Sequence, residues 1–453
     1  MTNLGYTPQI PVCAIASALA PSAIGIVRAS GTDCVSLVAK FFSRPKALLS
    51  AKGYTLVHGW LVDSDGSRVD EVMLAVYRAP HSFTGEEMVE VFCHGGVAVV
   101  RAVHSLFLRN GFTQAQRGEF TFRAFVNGKT DLTRAEAVRE IIDSKTDASR
   151  SRAAGRLAGS VRDEIADVKK QIVDTLATIE VEIEYPEDEE TIADSFDVSA
   201  LKKIQERLTR LVLSWKSERL YQDGLRVVLC GPTNAGKSSL FNVLLKEERA
   251  IVSDVAGTTR DWIEGWASFD GIPVRLFDTA GLRDTSDVVE AAGIERTKDI
   301  GEEADVLLYV VDSSVGMTEK DYAFVKEAKV PVVLVYNKSD VKGSSVPQDA
   351  LSVSAKQNVG IDALVKKVVS LSGVGSQSAG DVEAGLGSDR QRAAVQEALD
   401  RVTHALEVSA LSYSLDAVVQ DLEDSLDSLG EITGEVVADD ILESIFSNFC
   451  VGK

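Results

Sequence analysis

The chain has 453 residues, 45% of them hydrophobic and 26% charged, with a formal net charge of −20. That length exceeds what one hydrophobic core supports, so two or three domains are expected, and the composition is that of a globular protein rather than a disordered or fibrous one. No apolar run of about 18 residues occurs, which excludes a transmembrane helix; the N-terminus lacks the basic start of a signal peptide.

The charge is unevenly placed. Residues 1–127 hold 11 Lys/Arg against 9 Asp/Glu, whereas residues 385–453 hold 4 against 14. An acidic chain binds nucleic acid only through a local basic patch, so composition by itself predicts no RNA partner. The five cysteines (13, 34, 93, 230 and 450) form no Cys-x-x-Cys pair. That excludes a disulfide framework and a zinc site, and predicts a reducing, cytoplasmic setting.

In chain order, residues 1–127 read as mixed α/β. Residues 22–29 predict a strand and 32–42 a helix. Three strands follow in YTLVHGWLV, DEVMLAVYRA and EMVEVFC, and then a helix over 97–110 closed by Gly111. From Thr133 to about Tyr185 the pattern turns helical. Val161, Ile165, Val168, Ile172, Leu176, Ile179 and Ile183 recur at spacings of three and four, one apolar stripe on a long helix. Pro186 and the acidic EDEE end it. A second helix over about 199–221 carries Leu201, Ile204, Leu208, Leu211 and Trp215 on one face. Residues 225–370 alternate strands (RVVLC, PVRLFD, VLLYVVD, PVVLVYN) with helices, which predicts a doubly wound, mostly parallel sheet. A Gly/Ser-rich stretch at 371–388 reads as a linker. The tail from Asp389 returns to helix, with Val395, Leu399, Val402 and Leu406 needing a partner. The earlier helices have the same need, so the α/β domain is expected to be inserted into one helical domain.

The motifs lie in the inserted domain. GPTNAGKSS (231–239) follows a strand and opens a helix, the context of a phosphate loop. Its glycines turn backbone N–H groups onto phosphates, the helix start adds a positive dipole end, Lys237 reaches the β- and γ-phosphates, and Ser238 holds Mg²⁺. Asp278-Thr279-Ala280-Gly281 ends the next strand, placing a carboxylate near the Mg²⁺ and a glycine N–H near the γ-phosphate. Asn337-Lys338-Ser339-Asp340 follows PVVLVY; Asp340 can accept from guanine N1 and N2, a donor pair that adenine lacks. Ser354-Ala355-Lys356 closes over the base. Four such signals in order predict GTP rather than ATP. Gly257-Thr258-Thr259-Arg260-Asp261 reads as a switch whose threonine completes the Mg²⁺ shell. Where Ras-like GTPases place a water-orienting Gln, after the DTAG run, this chain has Leu282, so another residue must serve. On chemistry alone Asp284, Asp287, Glu290 and Glu295 compete.

The chain also carries GIVRASG (25–31), SFTGEEMVEVFCHGG (82–96) and GIER (293–296), and two segments more specific than the nucleotide motifs, RGEFTFRAFVNGKTDLTRAEAV (117–138) and the final FCVGK (449–453). Over essentially its full length the chain resembles the MnmE (TrmE) family of tRNA-modification GTPases. The resemblance implies a multidomain fold: an α+β tetrahydrofolate-binding-like dimerisation domain (1–127), a helical domain in two parts (128–222 and 374–453), and an inserted Ras-like doubly wound P-loop G domain (223–373). It implies a cytoplasmic homodimer that joins an FAD-dependent partner (MnmG/GidA) as a heterotetramer and has no membrane contact. The pair adds a carboxymethylaminomethyl or aminomethyl group to C5 of a tRNA wobble uridine, drawing one carbon from 5,10-methylene- or 5-formyl-tetrahydrofolate.

The resemblance also implies residue roles. GTP is held by 234–239 (Asn234, Ala235, Gly236, Lys237, Ser238, Ser239), by 253–259 (Ser253, Asp254, Val255, Ala256, Gly257, Thr258, Thr259), and by the three later motifs. Ser238 and Thr259 match Mg²⁺ ligands. Asn234, Ser253, Val255 and Thr258 match ligands of a K⁺ that stimulates hydrolysis. Glu290 matches the family's water-orienting carboxylate; Cys450 matches the cysteine of the family's C-terminal motif, and Lys237 and Cys450 are the other catalytic candidates. Folate contacts match Arg28, Glu86, Lys129 and Lys453. Two other functions compete: a regulatory GTPase without modification chemistry, and a folate-binding platform with vestigial hydrolysis.

Overall fold

The computed structural model describes residues 10–184, 198–247, 263–278, 304–341, 345–348, 350–373, 384–410 and 415–453. They fall into two compact units, Met1–Arg139 with Asp416–Lys453, and Glu140–Leu415.

The first unit is built on a sheet of six strands, β1 Val12–Ile15, β2 Ile24–Ser30, β3 Thr55–Val62, β4 Arg68–Tyr77, β5 Met88–His94 and β6 Thr113–Gln114, ordered β3-β4-β5-β2-β1-β6. β1 and β6 go beyond the four strands expected from sequence. At four and two residues they are too short for an alternating pattern to register. Pairing is antiparallel except between β1 and β6. The period of two along β2 separates its faces. Val27 and Ala29 are buried in a core shared with Val35, Val38, Val103 and Phe107 from the helices Cys34–Ala39 and Val97–Arg109. Arg28 and Ser30 therefore point to the opposite face.

That opposite face is covered by the chain's end. Leu442, Ile445 and Phe446 of the helix Asp439–Phe446, with Phe449 beyond it, pack on Phe122, Leu132 and Ala135. Phe446 is fully buried and meets the Phe122 ring edge-on at 5.4 Å. Val451 then forms an antiparallel bridge to Arg117. Gly452 follows at φ +94°, so close to Ile15 that a Cβ would stand 2.7 Å from its carbonyl oxygen. Only glycine fits there.

In the second unit the region read as one helical stretch is broken twice. The helix Asp147–Ala158 starts at a Thr146–Ser149 capping box and stops at Gly159, φ +116°, before Ser160–Glu184. The apolar stripe is buried from Val161 to Ile179, but Ile183, read from sequence as its last member, is 40% exposed one turn further on. The helix Val198–Asp223 buries Leu201, Ile204, Leu208, Leu211 and Trp215 as expected. It packs along Asp389–Ala410, with Gln205 Nε2 donating to Thr403 Oγ1 at 2.9 Å. The face of that last helix is finer than its leucines suggest. Ala394, Val395, Ala398, Val402 and Ala405 are buried, while Leu399 and Leu406 are only half-buried, because small side chains let two helices approach closely.

Between these helices lies the second sheet, β7 Leu225–Cys230, β8 Ile263–Phe269, β9 Ile272–Asp278, β10 Val306–Asp312, β11 Val332–Asn337 and β12 Leu351–Ser352, ordered β12-β11-β10-β7-β9-β8. All pairs are parallel except β8 with β9. β7 is central, with Val227, Leu229 and Val228, Cys230 facing two different cores, which is why it reads as an unbroken apolar run. The chain leaves β7 toward β9 and later returns to β10 on its other side. A crevice therefore opens at the carboxyl ends of β7 and β10. No described helix is long and apolar enough to cross a membrane.

Phe446→Ala should destabilise the first unit by about 3–5 kcal/mol, the usual cost of emptying a buried aromatic site. Denaturant unfolding measures it, and a loss below about 1 kcal/mol would contradict the packing described.

Candidate functional site

Gly231 ends β7 at φ +125°, and a Cβ there would stand 2.2 Å from the Val310 carbonyl oxygen. The loop therefore turns across the end of β10, into the crevice. Asn234 is exposed and left-handed (φ +64°). Gly236 (φ +89°) has no room for a Cβ, which would fall 2.3 Å from Asn337 Nδ2. The helix Lys237–Glu247 starts here, with Ser238 and Ser239 exposed on its first turn. Lys237 is nearly buried and its Nζ donates to the carbonyls of Gly231 and Pro232, each at 2.8 Å. The ammonium thus already lies inside the loop that would surround a phosphate. Asp278 is fully buried at the end of β9, in register with Leu229.

Asn337 gathers the site. Its Nδ2 donates to the Ala235 carbonyl at 2.9 Å, and its Oδ1 accepts from the Ala355 N–H at 3.0 Å. One buried amide therefore holds the phosphate loop and the 354–356 loop together. Asp340 accepts from Ser354 Oγ at 2.6 Å, and that hydrogen bond holds its carboxyl below the usual range. Lys338 (φ +64°) ion-pairs with Asp312 at 2.6 Å, and Lys356 is exposed. The structure so brings together Asn234–Ser239, Asp278, Asn337–Asp340 and Ser354–Lys356. Ser253, Asp254, Val255, Ala256, Gly257, Thr258, Thr259, Thr279, Ala280, Gly281, Leu282 and Glu290 lie outside the described residues. Among the described residues no cluster of three or more metal-binding side chains forms by itself.

A second constellation stands in the first unit. Arg28 donates from Nε and Nη2 to Glu90 Oε1, both at 2.7 Å, and from Nη1 to the Gly452 carbonyl at 3.2 Å. Its guanidinium lies over the ring of Phe83 (5.7 Å) and over that of Phe120 (5.6 Å). Tyr77 donates to the other Glu90 oxygen at 3.2 Å, and burial followed by the Glu90 charge pushes its phenol upward. Burial and then the Arg28 charge hold the Lys453 ammonium below the ordinary lysine range. Glu86 accepts from Ser30 Oγ at 2.7 Å and from buried Arg123 at 3.0 and 3.1 Å. Lys129 lies beside Gly85 and donates to the Pro80 carbonyl at 3.1 Å. Cys450 is exposed, its carbonyl accepting from the Gly118 and Lys453 N–H groups.

Sequence reading missed Glu90, Tyr77, Phe83, Phe120 and Arg123. One signal was there to find: Glu90 is the cross-strand partner of Arg28 once β2 and β5 pair, but nothing local sets that register.

Residues 11–129 match the family model described as the GTP-binding protein TrmE N-terminus, and residues 132–450 that of the MnmE helical domain. The chain is 48% identical to the tRNA modification GTPase MnmE of Treponema denticola, over 99% of both chains. It is 43% identical to that of Treponema pallidum, over 99% of both, and 39% identical to that of Borrelia turicatae, over 100% of both. The G domain of the T. maritima FeoB iron transporter covers 32% of this chain at 24% identity with a TM-score of 0.26, too low to add to the sheet order above.

Burial raises the Cys13 and Cys230 thiols to about 12 and the Cys93 thiol to about 11, and Cys34 is also buried. Near neutral pH a chromogenic disulfide should therefore label Cys450 fast and the other four only on unfolding. More than one fast thiol would overturn this burial pattern.

Proposed function

Because the chain belongs to the MnmE family of tRNA modification GTPases, and is a GTP hydrolase acting in tRNA modification, we propose that its hydrolysis is K⁺-stimulated and drives a folate-dependent change at the wobble uridine. The product is a carboxymethylaminomethyl or aminomethyl group at C5, made with an FAD-dependent partner, MnmG/GidA. In this reading the chain is a cytoplasmic homodimer, and its one-carbon donor is 5,10-methylene- or 5-formyl-tetrahydrofolate.

The nucleotide crevice supports the first half. Lys237 exchanges the Gly231 and Pro232 carbonyls for phosphate oxygens, and the loop N–H groups take the rest of that charge. The exposed Ser238 hydroxyl is a hard oxygen donor suited to Mg²⁺, with Thr259 assigned to complete the shell and the Asp278 carboxylate suited to hold a metal-bound water. Asn234 is exposed on the loop, and with Ser253, Val255 and Thr258 it would hold K⁺. A cation there supplies the charge that an arginine finger gives other GTPases. With Leu282 unable to orient water, Glu290 takes that task. Asp340 reads the guanine edge, Ser354 fixing its carboxylate as an acceptor.

The observation that carries the second half is the seat of the final residues against Arg28. Gly452 takes a guanidinium N–H, Lys453 lies near the same charge, and Cys450 stays exposed beside them. Arg28, Lys129 and Lys453 suit an anionic tail, Glu86 suits ring N–H donors, and Phe83 offers an aromatic face. Tetrahydrofolate has all three features, and when bound it supplies the one-carbon unit.

Mass analysis of tRNA nucleosides from cells lacking the protein should show the C5 modification lost from wobble uridine; an unchanged nucleoside profile sinks the modification reading. GTP turnover should be faster in K⁺ than in Na⁺ at equal ionic strength. Equal rates would remove the cation from the scheme and leave the modification reading standing.

A further inference from the structure

We infer that Asp312 is a positioning residue for guanine binding, holding Lys338 along the phosphate loop where the base is read. The inference rests on the assignment of residues 337–340 to the guanine site and adds to it a residue outside every motif.

Asp312 is the last residue of β10 and is in register with Asn337 of β11, so its side chain reaches the residue just past the strand, Lys338. Its two oxygens have separate tasks. Oδ1 accepts from the Ser314 N–H at 2.9 Å and from its hydroxyl at 2.6 Å, which fixes the carboxylate's orientation. Oδ2 takes the Lys338 ammonium at 2.6 Å. The carboxylate is mostly buried, at 17% exposed, while the lysine is 37% exposed.

Lys338 is anchored at its backbone and at its ammonium. Its backbone is left-handed (φ +64°), a conformation unfavourable for a lysine that persists only where neighbours enforce it. Here Asn337 is tied to both loops on one side, and the Ser339 N–H donates to the Val353 carbonyl on the other. The stem then passes beside Gly236, its Cε 4.0 Å from where a Cβ would stand, and ends on Asp312. Asp340, two residues on, is held by Ser354. The methylene stem therefore runs beside the phosphate loop at Gly236, from a residue two before the carboxylate assigned to guanine. The positive end is neutralised instead of swinging toward the phosphates, where Lys237 already serves. Removing the Asp312 charge would free that end and unpin the stem, weakening the base end of the site and not the γ-phosphate end.

The test is a double-mutant cycle on equilibrium binding of GDP and GTP by the full chain. Asp312→Asn keeps an oxygen for Ser314 and replaces the charged oxygen that accepts from Lys338 with an amide NH2 that cannot accept. It should weaken GDP and GTP by the same factor, about tenfold for a charge-assisted hydrogen bond at a part-buried site. Combined with Lys338→Met, it should bind no worse than Lys338→Met by itself. Binding by Asp312→Asn within about twofold of the parent, or losses that add in full, would overturn the inference. A pair that only ties β10 to β11 would lower the melting temperature and leave both dissociation constants in place, which also overturns it. If Asp312→Asn does not fold, Lys338→Arg against Lys338→Met reads the pair from its other end. Arg keeps the ion pair and should bind more tightly than Met; equal binding counts against the inference. Asp340→Asn is the control for the underlying assignment. If guanine binding survives that change the assignment itself fails, whereas a defective Asp340→Asn beside a normal Asp312→Asn sinks only the role of Asp312.

Discussion

The buried side chain of Asn337 is the interaction on which the nucleotide site depends. Its amide spans from the Ala235 carbonyl to the Ala355 N–H, and so joins a loop from the first strand of the sheet to one from its edge. Without it, two buried backbone groups would each lose a partner at a cost of about 1–3 kcal/mol. Gly236 has no side chain because that amide occupies the space, and Gly231 has none because Val310 does. Each glycine of the phosphate loop is thus explained twice, by what a phosphate needs and by what the neighbouring strand forbids.

Around that centre the sheet follows ordinary rules of packing. A strand apolar on both faces must be central, and β7 is. The reversal of strand order beside it opens the crevice into which the loop turns, so location and chemistry have one cause. The helices before and after the sheet then settle against each other through alanines, and Arg156, ion-paired with Glu140 and Glu218, closes over the segment at Gly385 that leads back into them.

In the first unit the analogous constraint is the seat of residues 446–453. Phe446 and Phe449 fill a core made by Phe122 and Leu132, and this delivers Gly452 to a position where only a glycine can stand. Arg28 is held from three sides at once, by Glu90 across the strands, by two aromatic rings, and by a carbonyl 424 residues away in sequence.

The nucleotide, the order of the motifs and the long helices were legible along the chain. These depend on local chemistry: a glycine at a turn, a lysine after it, apolar residues every three or four positions. The sequence determined too that Leu282 cannot do the work of a glutamine. What it did not determine were the short strands β1 and β6, the two breaks before the long helix, and the exposed end at Ile183, since each is decided by what packs alongside. The same holds for Glu90, Arg123 and Asp312. Each is an unremarkable carboxylate or guanidinium along the chain. Only strand register, a property of two segments and not of one, brings Glu90 to Arg28 and Asp312 to Lys338.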